Sequence, residues 1–186
     1  KTDLYNARLK SKMQELMQVY EHIGYHCLEV SAETGYNMEA FGELLKDQIS
    51  VIAGHSGVGK STLLNRIDPD LSLKVAQISK AHKAGKHTTT FSEMHELNNG
   101  GYIIDTPGIK GFGLVDMERD EIPHYFPEMF SRLDQCRFYN CTHTHEPGCA
   151  VKEAAEQGEI AEFRYKNYLE ILNSSEDKYR EQKYPK

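Results

Sequence analysis

The stretch AGHSGVGKSTLL, residues 53–64, constrains this chain more than any other. Gly54, four residues, then Gly59, Lys60 and Ser61 spell the phosphate-loop pattern G-x-x-x-x-G-K-[ST]. Such a loop needs a strand leading in and a helix leading out. Its glycines curl the chain until successive N–H groups face one anion, and the helix N-terminus adds partial positive charge. QISVIAGH, just before it, is a continuous apolar run that predicts a strand buried on both faces of a parallel sheet. KSTLLNRI, just after it, predicts a helix. Gly54, His55, Ser56, Gly57, Val58, Gly59, Lys60, Ser61 and Thr62 are therefore the candidate phosphate cradle. Lys60 is placed to reach the outer phosphates and Ser61 to bind Mg²⁺.

The rest of the chain alternates strands and helices, which predicts an α/β layer fold. Residues 4–23 carry Leu9, Met13, Leu16, Met17 and Tyr20 at helical spacing. HCLEVSA reads as a strand and NMEAFGELLKD as a helix. FSEMHEL alternates like an edge strand, NNGG turns, and YIIDT is a further buried strand. A last helix is predicted from about Glu159 to Leu172, with Ile160, Phe163, Tyr168, Leu169 and Leu172 inward. Only four strands can be counted, so part of the sheet is expected to lie before Lys1. The domain division expected is 1–116 for the nucleotide domain and 117–186 for a small helical one.

DTPG, residues 105–108, ends the strand YIID. An Asp at the carboxyl end of a strand neighbouring a phosphate loop is the metal-facing carboxylate of such enzymes, so Asp105 is a second Mg²⁺ ligand and the Gly108 N–H a sensor of γ-phosphate. Between the two motifs lies SKAHKAGKHTTT, residues 79–90, with three lysines and no acid. A threonine there, Thr89 or Thr90 and by preference Thr89, completes the Mg²⁺ shell, which makes the segment a switch. Ile109 stands where Ras-like GTPases carry the water-orienting Gln. His87 is the candidate to replace it, since imidazole can hold or deprotonate a water near neutral pH.

Guanine selection needs an Asn-Lys-x-Asp motif, whose Asp accepts from guanine N1–H and N2–H₂, and a Ser-Ala loop whose backbone N–H meets O6. Neither follows DTPG. The chain instead begins KTD and carries SAETG at residues 31–35, so Lys1, Asp3, Ser31 and Ala32 are the base-binding candidates. The base motifs thus precede the phosphate loop, the order of circularly permuted GTPases, and the absent Asn suggests a start cut from a longer chain.

CRFYNCTHTHEPGC gives Cys136-x₄-Cys141-x-His143-x₅-Cys149. Three thiolates and an imidazole suit one tetrahedral structural Zn²⁺. His145 is a rival ligand, with His143 preferred. The metal is expected to hold a small loop-rich unit that lacks a core of its own. Cys27, alone in an apolar run, reads as core.

Bulk properties narrow the class. A net charge of −6 argues against simple coating of nucleic acid. No apolar run of membrane-spanning length and no secretory signal is visible. A cytoplasmic protein without a membrane partner is expected, and a monomer.

KTD, SAETG, GHSGVGKST, GKHTTT, DTPGIKGFGL and CRFYNCTHTHEPGC together closely resemble the ribosome small-subunit-dependent GTPase A family of bacteria. The resemblance implies a circularly permuted phosphate-loop GTPase domain, with a parallel-rich sheet flanked by helices, followed by a small α-helical zinc-binding domain. It also implies an OB-fold domain upstream, GTP and GDP as ligands, and hydrolysis stimulated by the 30S subunit and its 16S rRNA late in 30S maturation. It points to His87 as catalytic. Two other readings compete. An ATP-dependent phosphate-loop kinase explains Gly54–Ser61 but leaves KTD, SAETG and HTTT as accidents. A zinc-stabilised RNA-binding module with a structural nucleotide site conflicts with the acidic charge and the intact Lys60, Ser61 and Asp105 set.

Overall fold

The computed structural model describes residues 2–55, 57–71, 73, 93–105 and 117–174, with the side chains of Glu93, Asp105 and Ser174 outside that set. The expectations for Lys1, Ser56, the 79–90 loop with His87 and Thr89, Gly108, Ile109 and the Asp105 carboxylate therefore lie outside the described residues. The chain divides into two compact units, one of residues 1–16 and 27–112, the other of residues 17–26 and 113–186.

In the first unit a short turn, Thr2–Leu4, leads into α1 (Ala7–His22), whose residues from Met17 on count with the second unit, and α2 is Met38–Leu45. β1 (Ile49–Ile52) precedes the phosphate loop and α3 (Lys60–Ile67) follows it. β2 (Glu93–Glu96) and β3 (Tyr102–Asp105) complete a three-stranded sheet of order β1-β3-β2. β1 runs parallel to β3 with Ile49 opposite Tyr102 and Ile52 opposite Asp105, and β2 runs antiparallel to β3.

The β2–β3 reversal, Asn98–Gly101, is fixed by Leu97 N–H to Gly101 O and Gly100 N–H to Leu97 O, at 2.7 and 2.9 Å. It is also a structural junction. Asp68, the C-cap of α3, is buried and accepts from the Asn98 N–H (2.8 Å) and side-chain amide (2.9 Å). Asn99 donates to Gly42 O of α2 at 3.0 Å. A Cβ on Gly101 would collide with the Leu45 carbonyl oxygen, so backbone packs on backbone there. The core is small: Leu45, Leu64, Leu97 and Ile103, with Phe41, Ile52, Leu71 and Leu73 against it.

Three expectations are corrected in this unit. β1 is not buried on both faces: Ile49 is 68 % and Val51 60 % exposed. With a side-chain period of two they share one face, and no described element covers it. HCLEVSA forms no strand, and two of its carbonyls accept from side chains instead of a neighbouring strand. Val30 O accepts from Thr2 Oγ1 and Glu29 O from Asn37 Nδ2. Cys27 is half-buried rather than core.

The second unit is helical. A turn at Ile122–Tyr125 is followed by α4 (Pro127–Phe130), a turn at Leu133–Gln135, α5 (Ala150–Glu156) and α6 (Glu162–Ser174). Pro127 opens α4 where its missing N–H costs nothing. Here too an expectation fails, since the unit has a core of its own. Ile122, Phe126, Met129, Val151, Ala154, Ile160, Tyr168 and Leu172 are buried together with Cys149. Beside it the buried Glu128 carboxylate takes a bidentate pair from Arg164, at 2.7 and 3.2 Å, and the guanidinium lies over Phe126 and Tyr20. Hydrogen bonds to that carboxylate and its charge hold Arg164 above the ordinary guanidinium range against its own burial.

Candidate nucleotide and metal sites

The candidate phosphate loop in the first unit is built from backbone. Gly59 caps α3 at φ 108°, a left-handed conformation that any side chain would strain, and the helix start has no side-chain cap. Its first N–H groups have no intrahelical acceptor and are left to an anion. Gly57, at φ 80°, makes the preceding turn. The Lys60 ammonium folds back to donate to Gly54 O at 2.6 Å and His55 O at 3.2 Å, which braces the loop. Ser61 is half-buried in the first turn of α3, while His55, Val58 and Thr62 are exposed. The parallel register sets the backbone of Asp105 opposite Ile52, at the strand end from which the loop departs. Hydroxyl and carboxylate are hard oxygen donors, the chemistry Mg²⁺ takes.

The base candidates meet as well. Ser31 is buried, and its hydroxyl donates to Asp3 Oδ1 at 2.7 Å across 28 residues of chain while accepting from the Thr34 N–H at 3.3 Å. Its own N–H and C=O close the loop with Tyr36 O and Gly35 N–H, at 3.1 and 2.9 Å. That leaves the Ala32 N–H without a partner among the described residues.

In the second unit the ligand atoms of Cys136, Cys141, His143 and Cys149 all lie within 4.8 Å of one another. His143 Nδ1 is 3.6 Å from Cys136 Sγ and 3.4 Å from Cys149 Sγ. Zn–S and Zn–N bonds of about 2.3 and 2.0 Å at tetrahedral angles give an S···N edge of about 3.5 Å, so these two separations match that ion and the donor set matches its chemistry. Burial lowers the His143 pKa, which favours the neutral ring a metal needs. Burial, with the neighbouring thiols adding to it, pushes Cys141 up to about 12. A metal taking this thiol must displace its proton, and affinity rises with pH. His145 is exposed, its ring bonded to Thr144 Oγ1 at 2.8 Å.

Three supporting side chains, Tyr165, Tyr168 and Glu146, carry no motif signature. Tyr165 and Tyr168, one turn apart on α6, donate to the carbonyls of His143 and Thr142 at 2.6 and 2.7 Å. These bonds hold the ligand loop with His143 at φ 56°. The Glu146 carboxylate accepts from Thr142 N–H and Oγ1 and from the N–H groups of Thr144 and His145, at 2.6–3.1 Å. Burial would raise its pKa, but these bonds prevail and carry it down to about 2. Cys149 caps α5, accepting from the Lys152 N–H at 3.4 Å. The tyrosine pair at i, i+3 and the lone acid inside a cysteine loop were the only traces of this support in the sequence.

The sequence model of the RsgA GTPase family matches residues 1–115. The small ribosomal subunit biogenesis GTPase RsgA of Christiangramia forsetii is 49 % identical over 186 residues, covering 100 % of this chain and 59 % of that protein. Among solved structures, YjeQ from Thermotoga maritima superposes with TM-score 0.78 at 42 % identity, over 94 % of this chain and 57 % of that one. YloQ, described as a circularly permuted GTPase, superposes with TM-score 0.73 at 30 % identity, over 96 % of this chain and 57 % of that one. The chain thus spans less than three fifths of each of these relatives. The order of base loop, phosphate loop and strand-end Asp is that of the permuted fold, and the chain belongs to the RsgA GTPase family.

Proposed function

We propose that this chain is the nucleotide- and metal-binding part of a cytoplasmic GTPase that acts, as a monomer, on the small ribosomal subunit during its maturation. The observation that carries guanine over adenine is the Ser31–Asp3 hydrogen bond. It joins the chain start to the Ser-Ala loop, setting an acceptor for guanine N1–H and N2–H₂ beside a free N–H for O6. Lys1 flanks that acceptor in the KTD motif. In this reading Gly54–Thr62 cradle the phosphates, with Lys60 leaving the Gly54 and His55 carbonyls for the outer phosphates. Ser61, Thr89 and Asp105 hold Mg²⁺, which supplies charge neutralisation to the phosphates. The Gly108 N–H senses the γ-phosphate. His87 orients the water that Ile109 cannot, once ribosomal RNA orders the lysine-rich 79–90 loop. Cys136, Cys141, His143 and Cys149 hold one structural Zn²⁺, closed to catalysis because all four positions are protein ligands. No helix among the described residues is long and apolar enough to cross a membrane.

The test is GTP hydrolysis by the full-length protein with and without purified 30S subunits, beside ATP and Lys60→Ala controls. Turnover that rises with 30S, for GTP alone, supports the reading. Equal turnover in both arms removes the ribosome from it, and turnover of ATP removes the guanine assignment. Unchanged 30S-stimulated turnover in His87→Ala would remove that residue from catalysis.

A further inference from the structure

Between the metal ligands Cys136 and Cys141 runs Arg137-Phe138-Tyr139-Asn140, and all four residues are exposed. Tyr139 is 101 % exposed, as open as a side chain in an extended peptide, and Phe138 is 40 % exposed. The unit's core tyrosine contrasts sharply: Tyr168 is fully buried and its hydroxyl is bonded. Tyr139 has neither packing nor a hydroxyl partner among the described residues. The Arg137 guanidinium lies 5.5 Å from the Phe138 ring centre, and no described carboxylate pairs with it. The loop is nonetheless anchored. Both flanking cysteines belong to the ligand cluster, Arg137 N–H donates to Gly148 O at 2.9 Å, and Cys141 N–H donates to Phe138 O at 3.2 Å. Two ring faces and a cation are thus held out on a short, pinned segment.

We infer that residues 137–140 form a stacking platform for unpaired bases of RNA, an inference that rests on the ribosomal reading above. With the backbone pinned at both ends, a base that stacks on these rings has only side-chain rotamers left to order. Every base offers a π-face, and a guanidinium beside the rings can meet the adjoining phosphate. Asn140 adds an amide for a base edge. Residues 117–174 carry eleven acidic against six basic side chains, so this region is unsuited to coating a duplex backbone, and contact through a few splayed bases is what its charge allows. A protein partner fits less well. The exposed residues next to the rings in sequence are the polar Asp134, Gln135, Arg137 and Asn140, whereas the centre of a protein interface is depleted of charge.

The experiment measures binding of the metal-loaded full-length protein to a fluorescent single-stranded RNA 12-mer, to the same sequence as a duplex, and to purified 30S subunits. Tyr139→Ala should lose about tenfold in affinity for the single strand and for 30S, Tyr139→Phe should stay within about twofold of wild type, and duplex binding should not change. Arg137→Gln should weaken single-strand binding and lower its salt slope by about one. Zinc content and hydrolysis without 30S serve as folding controls and should match wild type in every variant. Unchanged single-strand and 30S affinity in Tyr139→Ala overturns the platform. A loss on 30S alone, with the RNA 12-mer bound as before, also overturns it and makes the partner a ribosomal protein. Tyr139-dependent RNA binding with no wild-type affinity for 30S keeps the platform and sinks the ribosomal reading instead.

Discussion

The two units build their candidate sites for a charged ligand by opposite means. In the sheet unit the candidate phosphate site is made of main chain: glycine dihedrals, an uncapped helix end and a strand register. Its core is four buried residues, and Ile49 and Val51 stand open beside it. In the helical unit the metal site is made of side chains held by other side chains, over nine buried residues. Backbone sites tolerate sequence change except where a Cβ cannot go. Side-chain sites are sensitive at every supporting hydrogen bond.

That contrast can be broken by substitution. The largest effect should come from Cys149→Ser, since metal binding in such Cys-rich sites is worth on the order of 10 kcal/mol. Metal content by elemental analysis should fall to near zero while far-UV ellipticity keeps most of its helical signal, because the unit owns a core. Full loss of helix would return the metal to the role of sole organiser. Next, Glu128→Ala should cost about 3–5 kcal/mol in urea unfolding, since it strands the buried Arg164 charge. In the sheet unit, Gly101→Ala should cost about 3 kcal/mol by forcing apart the turn and Leu45. Alanine at the exposed Val58 or Thr62 should leave stability nearly unchanged. Tyr168→Phe keeps the ring and orphans the Thr142 carbonyl, so about 1–2 kcal/mol is expected, with faster metal loss to a chelator.

The smallest effect concerns Glu146. Its carboxyl sits at about 2 when folded against an ordinary 4.5, so its contribution is present above pH 4.5 and is lost as pH falls toward 2. Unfolding of wild type and Glu146→Gln across that window should converge at its acid end. A difference that persists there would make the loss steric rather than ionic.

Legibility in the sequence followed the same divide. α3, the Asn98–Gly101 turn and β3 stand where glycine and apolar pattern put them, because local signals determine them. α6 begins at Glu162 rather than about Glu159, its inward residues Tyr168 and Leu172 buried as the period requires. HCLEVSA and the two-faced burial of β1 misread because a strand depends on neighbours that a local window does not contain. The core of the metal unit was hidden for a related reason. Ile122, Phe126, Met129 and Val151 are spread over short elements, too brief to show a period. The tyrosine clamps on His143 and Thr142 were invisible because they join residues 22 and 26 positions apart.

The sheet's connectivity also fixes an order of events in time. The nearest β2–β3 partners, Glu96 and Tyr102, are six positions apart, whereas β1 reaches its partner across 53, from Ile49 to Tyr102. Loop-closure entropy grows with that span, and parallel pairing across it is intrinsically slow. The hairpin forms early and waits. The register that sets the Asp105 backbone opposite Ile52 is therefore complete only once β1 has docked on a hairpin that local contacts can form first.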